Sequence, residues 1–590
     1  MRKISYNLNM PLNENYKNNR PAIGVSDFAE IMNEKRFYCD KTLLVKELLD
    51  NDAKVTLFTR PRRFGKTLNM RMLKTFFEKP LDGKDTSHYF RNLKIWQAGE
   101  RYRAEQGKRP VIYLTLKDVK PEKYEHAFDK IKMAVFDDLS RHPEIFESVK
   151  FNALQKNIAQ NLLNNLNDYG ILSGSLRTLS QLLYIHHGEK PVILIDEYDV
   201  PIQAGYESGY YDQIIKFMRD FLSAAFKNND NLFMGVLTGV SRVSKESIFS
   251  GLNNLWVDTI FEDRFSDCFG FTQNEVEEMF RFFGIDEKIP EARDCYDGYI
   301  FGNKHIYNPW SLINYLARDC SPGDYWVNVA ENGLAGDAMR NLNESDRQNL
   351  TELMLGESPR VNVSAYLAYT DLNGSIENAY GLLAQTGYLT AVDAVQNGRT
   401  YLCRLKIPNR EVFSAYSEEV IKRILSRPAA RQANEIAGDI LFADAENLQK
   451  HLSVFLLETC SSFDLTEEKD YQNILIGLLA SLRIGYNIKA NREAGHGRAD
   501  IIIKPRMNHD KYRNLPGIVL ELKHYSATEA EKDNPEMLMA ELEKQANEAL
   551  RQIETKSYIS ELMTDGCKSV IKFGVAASGK HVCVKINSGD

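Results

Sequence analysis

The apolar run Val55-Thr56-Leu57-Phe58 leads into Arg60-Pro61-Arg62-Arg63-Phe64-Gly65-Lys66-Thr67, and a helical segment over 68–77 follows with Leu68, Met72, Leu73 and Phe76 on one side. A strand, a glycine-bearing turn and a helix in that order constrain this part of the chain to an α/β arrangement. Backbone N–H groups at the start of such a helix point outward, and the helix dipole favours an anion there. The pattern points to phosphate. Arg62, Arg63, Phe64 and Gly65 supply the loop, Lys66 an ammonium for β- and γ-phosphates, and Thr67 a hydroxyl ligand for Mg²⁺. Arg60 stands where the common form of this loop has glycine. A basic turn capping a helix would leave similar letters, so the rest of the chain has to decide.

It does so through three more apolar runs, Val111–Leu114, Val192–Ile195 and Leu232–Leu237, separated by amphipathic stretches such as 209–227. Buried strands alternating with helices predict a mostly parallel sheet with helical insertions. The third run ends Asp196-Glu197-Tyr198-Asp199. Carboxylates at the C-terminal end of a buried strand lie where α/β sheets bind ligands. Asp196 is the candidate Mg²⁺ ligand through water, and Glu197 the group that orients or deprotonates an attacking water. The fourth run ends Thr238-Gly239-Val240-Ser241-Arg242, and Arg242 is a candidate γ-phosphate sensor or a surface arginine. No Asn-Lys-x-Asp guanine motif occurs, so ATP is expected rather than GTP.

Phe37-Tyr38-Cys39-Asp40-Lys41-Thr42, the Arg60–Thr67 loop and Asp196–Asp199 together resemble the AAA-ATPase-like P-loop family found in many bacteria. That family's loop reads Arg-Pro-Arg-Arg-Phe-Gly-Lys-Ser/Thr, so Arg60 fits it. The resemblance covers about residues 20–300 and includes Phe271-Thr272, Tyr296-Asp297-Gly298-Tyr299 and Tyr307-Asn308-Pro309-Trp310-Ser311. These aromatics are expected to pack in the core. Asp40 and Lys41 match the family's motif without an evident role. Arg62 or Arg63 could act across a subunit interface of a homo-oligomer, contact phosphate locally, or stand at the surface; the sequence leaves these open.

Residues 270–450 are mainly helical in pattern. Within them, 379–408 reads as a helix feeding a hairpin that turns at Asn397-Gly398, a winged-helix-like arrangement. A second α/β unit then begins. Residues 468–483 form an amphipathic helix. Strands are predicted near 486–490, 500–504 and 518–523, a helix over 535–556, and strands near 569–576 and 581–586, with 505–516 a loop.

In this unit Gly495-His496-Gly497-Arg498-Ala499-Asp500 opens an apolar strand, and Glu521 and Lys523 share one face of Ile518–Lys523. An acid and a lysine on an otherwise buried strand call for a reason. Phosphodiester hydrolysis supplies one: Asp500 and Glu521 would hold Mg²⁺, and Lys523 would position water or stabilise developing charge. A plain Glu–Lys pair on a half-exposed sheet is the structural alternative. The arrangement resembles the PD-(D/E)XK nuclease superfamily over about 465–590, with Ala499-Asp500 in place of Pro-Asp. The resemblance implies a further acid at Glu468 and a helical glutamine at Gln545 or Gln552. His496 and His524 are expected to be solvated bystanders.

Composition bounds what remains. A length of 590 residues suggests several domains at about 150 residues each. The net charge of −7 means that DNA or RNA contact must come from a local patch. The eight cysteines form no CxxC pair, and reduced thiols in the cytoplasm are expected. No leader-like segment and no apolar run of ~18 residues appear, so neither secretion nor membrane insertion is expected.

The predicted organisation is a P-loop parallel-sheet ATPase over 1–270, a helical middle with a possible winged helix over 271–460, and a restriction-endonuclease-like α/β domain over 461–590. The predicted function is an ATP-hydrolysing switch coupled to a Mg²⁺-dependent nuclease acting on DNA or RNA. The alternative is an ATP-driven assembly module whose C-terminal domain binds nucleic acid or protein without cutting.

Overall fold

The computed structural model describes residues 21–588 apart from 81–82, 228, 243–254, 327–348, 351, 354–355, 367–374, 414, 417–428, 460–464, 466, 480–481, 483–485, 491–499, 506–513 and 556–557. The chain forms two compact units. One comprises Met1–Ala338 with Arg360–Arg404, and the other Met339–Pro359 with Leu405–Asp590.

In the first unit the four apolar runs become β1 (Val55–Thr59), β2 (Val111–Thr115), β3 (Val192–Asp196) and β4 (Met234–Gly239), joined by β5 (Leu255–Asp258). All pair in parallel, in the order β2-β3-β4-β1-β5. Both faces are buried, and the alternation of strand side chains divides the core accordingly. Leu57, Ile193, Ile195 and Leu237 pack on one side with Leu176 and Leu179 of α2 (Tyr169–His187) and Phe217 and Phe221 of α4 (Tyr211–Phe226). Phe58, Val192, Leu194 and Val236 pack on the other side with Met72, Leu73 and Phe76 of α1 (Lys66–Phe77). The chain enters α4 from α3 (Val200–Ser208), which starts directly after the acidic end of β3. Because β4 lies between β1 and β3, the loops leaving all three strands converge at one end of the sheet.

Beyond this sheet, β6 (Phe271–Thr272), β7 (Tyr299–Phe301) and β8 (Lys304–Tyr307) form a small antiparallel sheet flanked by α5 (Gln273–Phe283) and α6 (Pro309–Ala317). Thr272 and Glu275 make a capping box that starts α5. Then α7 (Ile376–Thr386) feeds the hairpin of β10 (Thr390–Asn397) and β11 (Thr400–Lys406), and β9 (Arg360–Ser364) pairs antiparallel with β11. The helix and the Asn397-Gly398 turn stand where the sequence puts them.

The second unit contains a mixed five-stranded sheet of β12 (Tyr486–Ala490), β13 (Ile501–Pro505), β14 (Gly517–His524), β15 (Val570–Ser578) and β16 (His581–Ser588), in chain order. Only β14 and β15 are parallel. Their crossover carries α9 (Pro535–Thr555), whose Leu538, Leu542 and Ala546 pack on Ala576 and Cys583. The amphipathic helix ahead of the sheet is α8 (Glu468–Leu478). Among the described residues, no helix is long and apolar enough to cross a membrane.

Candidate functional sites

Gly65 sits at φ +82, a left-handed conformation that favours glycine, and offers no side-chain cap to α1. The first-turn N–H groups of α1 therefore face the loop rather than a capping side chain. Arg63 also has positive φ, at +74, although it is not glycine. The loop borders a cavity of about 450 Å³ lined by Arg62, Arg63, Phe64, Gly65, Lys66 and Thr67, by Glu197 and Asp199, and by Tyr38, Phe271 and Trp310.

Lys66 is only 4% exposed. Its Nζ donates to the carbonyls of Arg60 and Pro61, each at 3.0 Å. Burial pushes its pKa down, and the carboxylates of Glu197, Asp199 and Asp196 oppose that shift. Thr67 Oγ1 donates to Asp196 Oδ2 at 2.7 Å, and Thr238 Oγ1 donates to Asp196 Oδ1 at 2.5 Å. A hydroxyl from the start of α1 and one from the end of β4 thus meet on a fully buried carboxylate at the end of β3. Glu197 lines the cavity next to it. Burial raises its pKa, with Lys66 pulling the other way.

The remaining loop side chains are engaged within the first unit. Arg62 donates to Gln203 at 3.4 Å. Arg63 lies 3.9 Å from the ring centroid of Trp310, and Phe64 packs edge-on against Tyr299. Arg242 follows the β4 turn with its guanidinium 4.3 Å from the Tyr366 ring centroid, and it is not among the residues lining the cavity.

Arg60 explains its own departure from glycine. It has no exposure, pairs with the equally buried Asp258, and donates to the carbonyls of Thr59, Asp258 and Phe265. It ties the start of the loop to the end of β5. Asp40 and Lys41 are also structural. Asp40 accepts from Thr42 and from the Lys94 amide, while Lys41 Nζ donates to both oxygens of Glu275 and to the Asp267 carbonyl. Tyr296, Tyr299 and Tyr307 are buried as the sequence suggests. Phe271 and Trp310 differ, since both line the cavity and Trp310 carries Arg63. Nothing in the spacing of Asn308-Pro309-Trp310 marks that role; it arises from tertiary packing.

In the second unit, β13 pairs with β14 antiparallel, with Ile501 opposite Leu520. Extending that register by one residue sets Asp500 opposite Glu521, so both carboxylates belong to one face. Asp500 Oδ2 accepts the Leu522 N–H at 2.7 Å, one peptide unit from Glu521. Gln472 of α8 holds the Asp500 carbonyl at 2.8 Å, one turn along from Glu468. Glu521 is 2% exposed and accepts from Gln552 of α9, whereas Gln545 bonds to Glu541 of its own helix. Lys523 lies two residues on from Glu521, on the same strand face. His524 stacks on Tyr471 with ring centroids 5.9 Å apart. His496 and the rest of the turn 491–499 lie outside the described residues.

Among the described residues no three His, Cys, Asp or Glu side chains gather as a metal-binding group. Two carboxylates, or a carboxylate with a hydroxyl, still suit Mg²⁺, which prefers oxygen ligands and keeps several waters. Asp500 with Glu521, and Thr67 with Asp196, are donor sets of that kind.

Residues 22–249 match the family model described as Predicted AAA-ATPase, and residues 466–586 match the PD-(D/E)XK nuclease superfamily model. A protein of Azotobacter chroococcum mcd 1, described as an uncharacterized protein in the vnfD 5' region, is 26% identical over 501 residues, covering 82% of this chain and 86% of that protein. The chain thus carries an AAA-ATPase-like domain and a C-terminal PD-(D/E)XK nuclease superfamily domain.

Proposed function

We propose that the N-terminal domain binds and hydrolyses ATP, and that its nucleotide state switches a Mg²⁺-dependent nuclease in the C-terminal domain acting on DNA or RNA. The observation that carries the first half is the 2.7 Å bond from Thr67 to Asp196 beside a buried lysine in a cavity large enough for a nucleotide. Backbone N–H groups of Arg62–Thr67 cradle phosphate, Lys66 leaves its loop carbonyls for the β- and γ-phosphates, and Glu197 orients the attacking water. Thr67 and Asp196 would hold Mg²⁺, which when bound neutralises charge on the phosphates. Arg242 would have to leave Tyr366 to sense the γ-phosphate.

In the C-terminal domain Asp500 and Glu521 would hold Mg²⁺. Lys523 positions the attacking water or stabilises the charge that develops on the phosphodiester. Coupling between the two activities rests on their presence in one chain. A cytoplasmic setting, with nucleotide and nucleic acid both at hand, suits this reading.

Nucleotide binding and turnover test the first half. Lys66→Ala should lose ATP affinity, while Glu197→Gln should keep affinity and lose turnover. ATP binding by Lys66→Ala at wild-type strength would contradict it. Mg²⁺-dependent cleavage tests the second half: Asp500→Ala and Glu521→Ala should each abolish it. A wild-type protein that binds nucleic acid without cutting would favour an ATP-driven assembly module instead.

A further inference from the structure

We propose that Asp199 is the positioning residue for Glu197: it pins the chain after the acidic pair to the end of β4 and thereby holds the Glu197 carboxylate toward the nucleotide. This rests on the ATPase reading above.

The starting observation is backbone strain. Glu197 has φ +56, in the left-handed region. That conformation is strained for a non-glycine residue and persists only where the surroundings over-determine it. The restraints come in series from one segment, Thr238–Ser241. Asp196 is held by the Thr238 hydroxyl. The Glu197 N–H donates to Thr238 Oγ1 at 3.3 Å. The Tyr198 N–H donates to the Thr238 carbonyl at 3.0 Å, and its hydroxyl donates to the Ser241 carbonyl at 2.8 Å. Asp199 Oδ2 then accepts the N–H groups of Val240 and Ser241, each at 2.8 Å, and the Ser241 hydroxyl at 3.2 Å. The whole acidic motif is laced to Thr238–Ser241.

Asp199 is the strongest of these anchors. One oxygen gathers three donors; burial pushes the carboxyl pKa up, and the Ser241 N–H, Lys66 and the Val240 N–H pull it back down. The side chain is 3% exposed. Gly239 makes the approach possible: a Cβ there would lie 2.7 Å from Asp199 Oδ1 and 2.8 Å from Tyr198 Cε1. Asp199 Oδ1 itself is buried with no hydrogen-bond partner among the described residues, and Asp199 borders the nucleotide cavity. An anchor serving stability alone would gain from satisfying that oxygen. The arrangement instead fixes the direction of the residue two positions earlier.

ATP affinity, kcat and melting temperature measured for Asp199→Ala, Asp199→Asn and Glu197→Gln test this. Asparagine keeps a carbonyl oxygen for the Val240 and Ser241 amides and removes the charge. Asp199→Ala should lower kcat on the order of 10–100-fold, with ATP affinity within about threefold of wild type, because a misaimed base slows the chemistry without weakening binding. Asp199→Asn should restore most of the loss. Glu197→Gln combined with Asp199→Ala should be no slower than Glu197→Gln alone, since both act through one carboxylate. Wild-type kcat in Asp199→Ala, equal loss in Asp199→Asn, an additive double variant, or affinity falling in step with kcat would each overturn the proposal. If Asp199→Ala does not fold, Asp199→Ser, whose shorter side chain is too short to hold both the Val240 and Ser241 amides, should show the same kcat-only loss, and wild-type kcat in that variant overturns it. A wild-type protein that does not hydrolyse ATP, or Glu197→Gln turning over normally, would instead sink the ATPase reading.

Discussion

Arg60 and Asp258 form an ion pair in which neither side chain has any exposure. Placed at the start of the loop between β1 and α1, the pair joins the end of β1 to the end of β5, and the Arg60 guanidinium also lies 5.2 Å from the Phe269 ring centroid and 5.3 Å from that of Phe301. Removing one partner strands a buried charge, which costs about 3–5 kcal/mol. Arg60→Gly, which restores the letter common in other phosphate loops, should therefore destabilise the first unit by about that amount. Urea unfolding checks it, and an unchanged midpoint would show that the pair contributes nothing.

Glu197 bears on the pH dependence of turnover. Burial raises its pKa above the ordinary value of 4.5, and Lys66 opposes the shift. A base must be ionised to act, so turnover should fall as pH drops through this raised value, at higher pH than for an exposed glutamate. The pH profile of kcat checks this. An acid limb at or below 4.5 would mean that another group controls the step.

The C-terminal site distinguishes its two candidate glutamines. Gln552 contacts Glu521, and Gln545 does not share that contact. Gln552→Ala should lower metal-dependent cleavage on the order of 10–100-fold, the usual cost of losing a residue that orients a ligand. Gln545→Ala should leave it unchanged. Equal effects would mean that α9 acts through stability alone, which melting curves of both variants would reveal.

A polar cluster of the first unit, outside the loop cavity, gives a stability prediction. Glu144 Oε1 lies 3.2 Å from His142 Nδ1 and 3.1 Å from His187 Nε2. Burial pushes its pKa up, but the two imidazoles outweigh this and hold it at about 2, below the ordinary 4.5. A lowered folded-state pKa contributes stability that is present above 4.5 and lost as pH falls through about 2. Glu144→Gln should flatten the fall of unfolding free energy in that window. An unchanged slope would place the acid sensitivity elsewhere.

Much of the fold is legible in the sequence because buried strands announce themselves as apolar runs. β1 to β4 fall within a few residues of their reading, as do β12 to β16, and α9 runs over Pro535–Thr555 against the 535–556 expected. The strand β5 is short and only partly buried, so its pattern gives no comparable signal. The candidate site residues of the loop and of the Asp196-Glu197 pair are visible as motifs with a strand before them. What the letters do not carry is pairing between distant segments. Arg60 looks like a phosphate-loop anomaly until Asp258 lies beside it, and Lys41 has no reading without Glu275. Asp199 is plain as a letter, yet its role depends on β4 lying next to β3, which local pattern does not determine. Trp310 reads as core because aromatic residues usually are; its place at the cavity follows from the way α6 meets the loop.

The central claim is that nucleotide state governs cleavage, and the direct measurement is nucleic-acid cleavage by wild type, Glu197→Gln and Asp500→Ala with Mg²⁺, each with and without ATP. Cleavage by wild type should depend on ATP. Asp500→Ala should hydrolyse ATP without cutting, and Glu197→Gln, which keeps ATP bound, should cut with ATP at a rate different from its rate without ATP. Wild-type and Glu197→Gln proteins that cut at the same rate whether or not ATP is present would contradict the account.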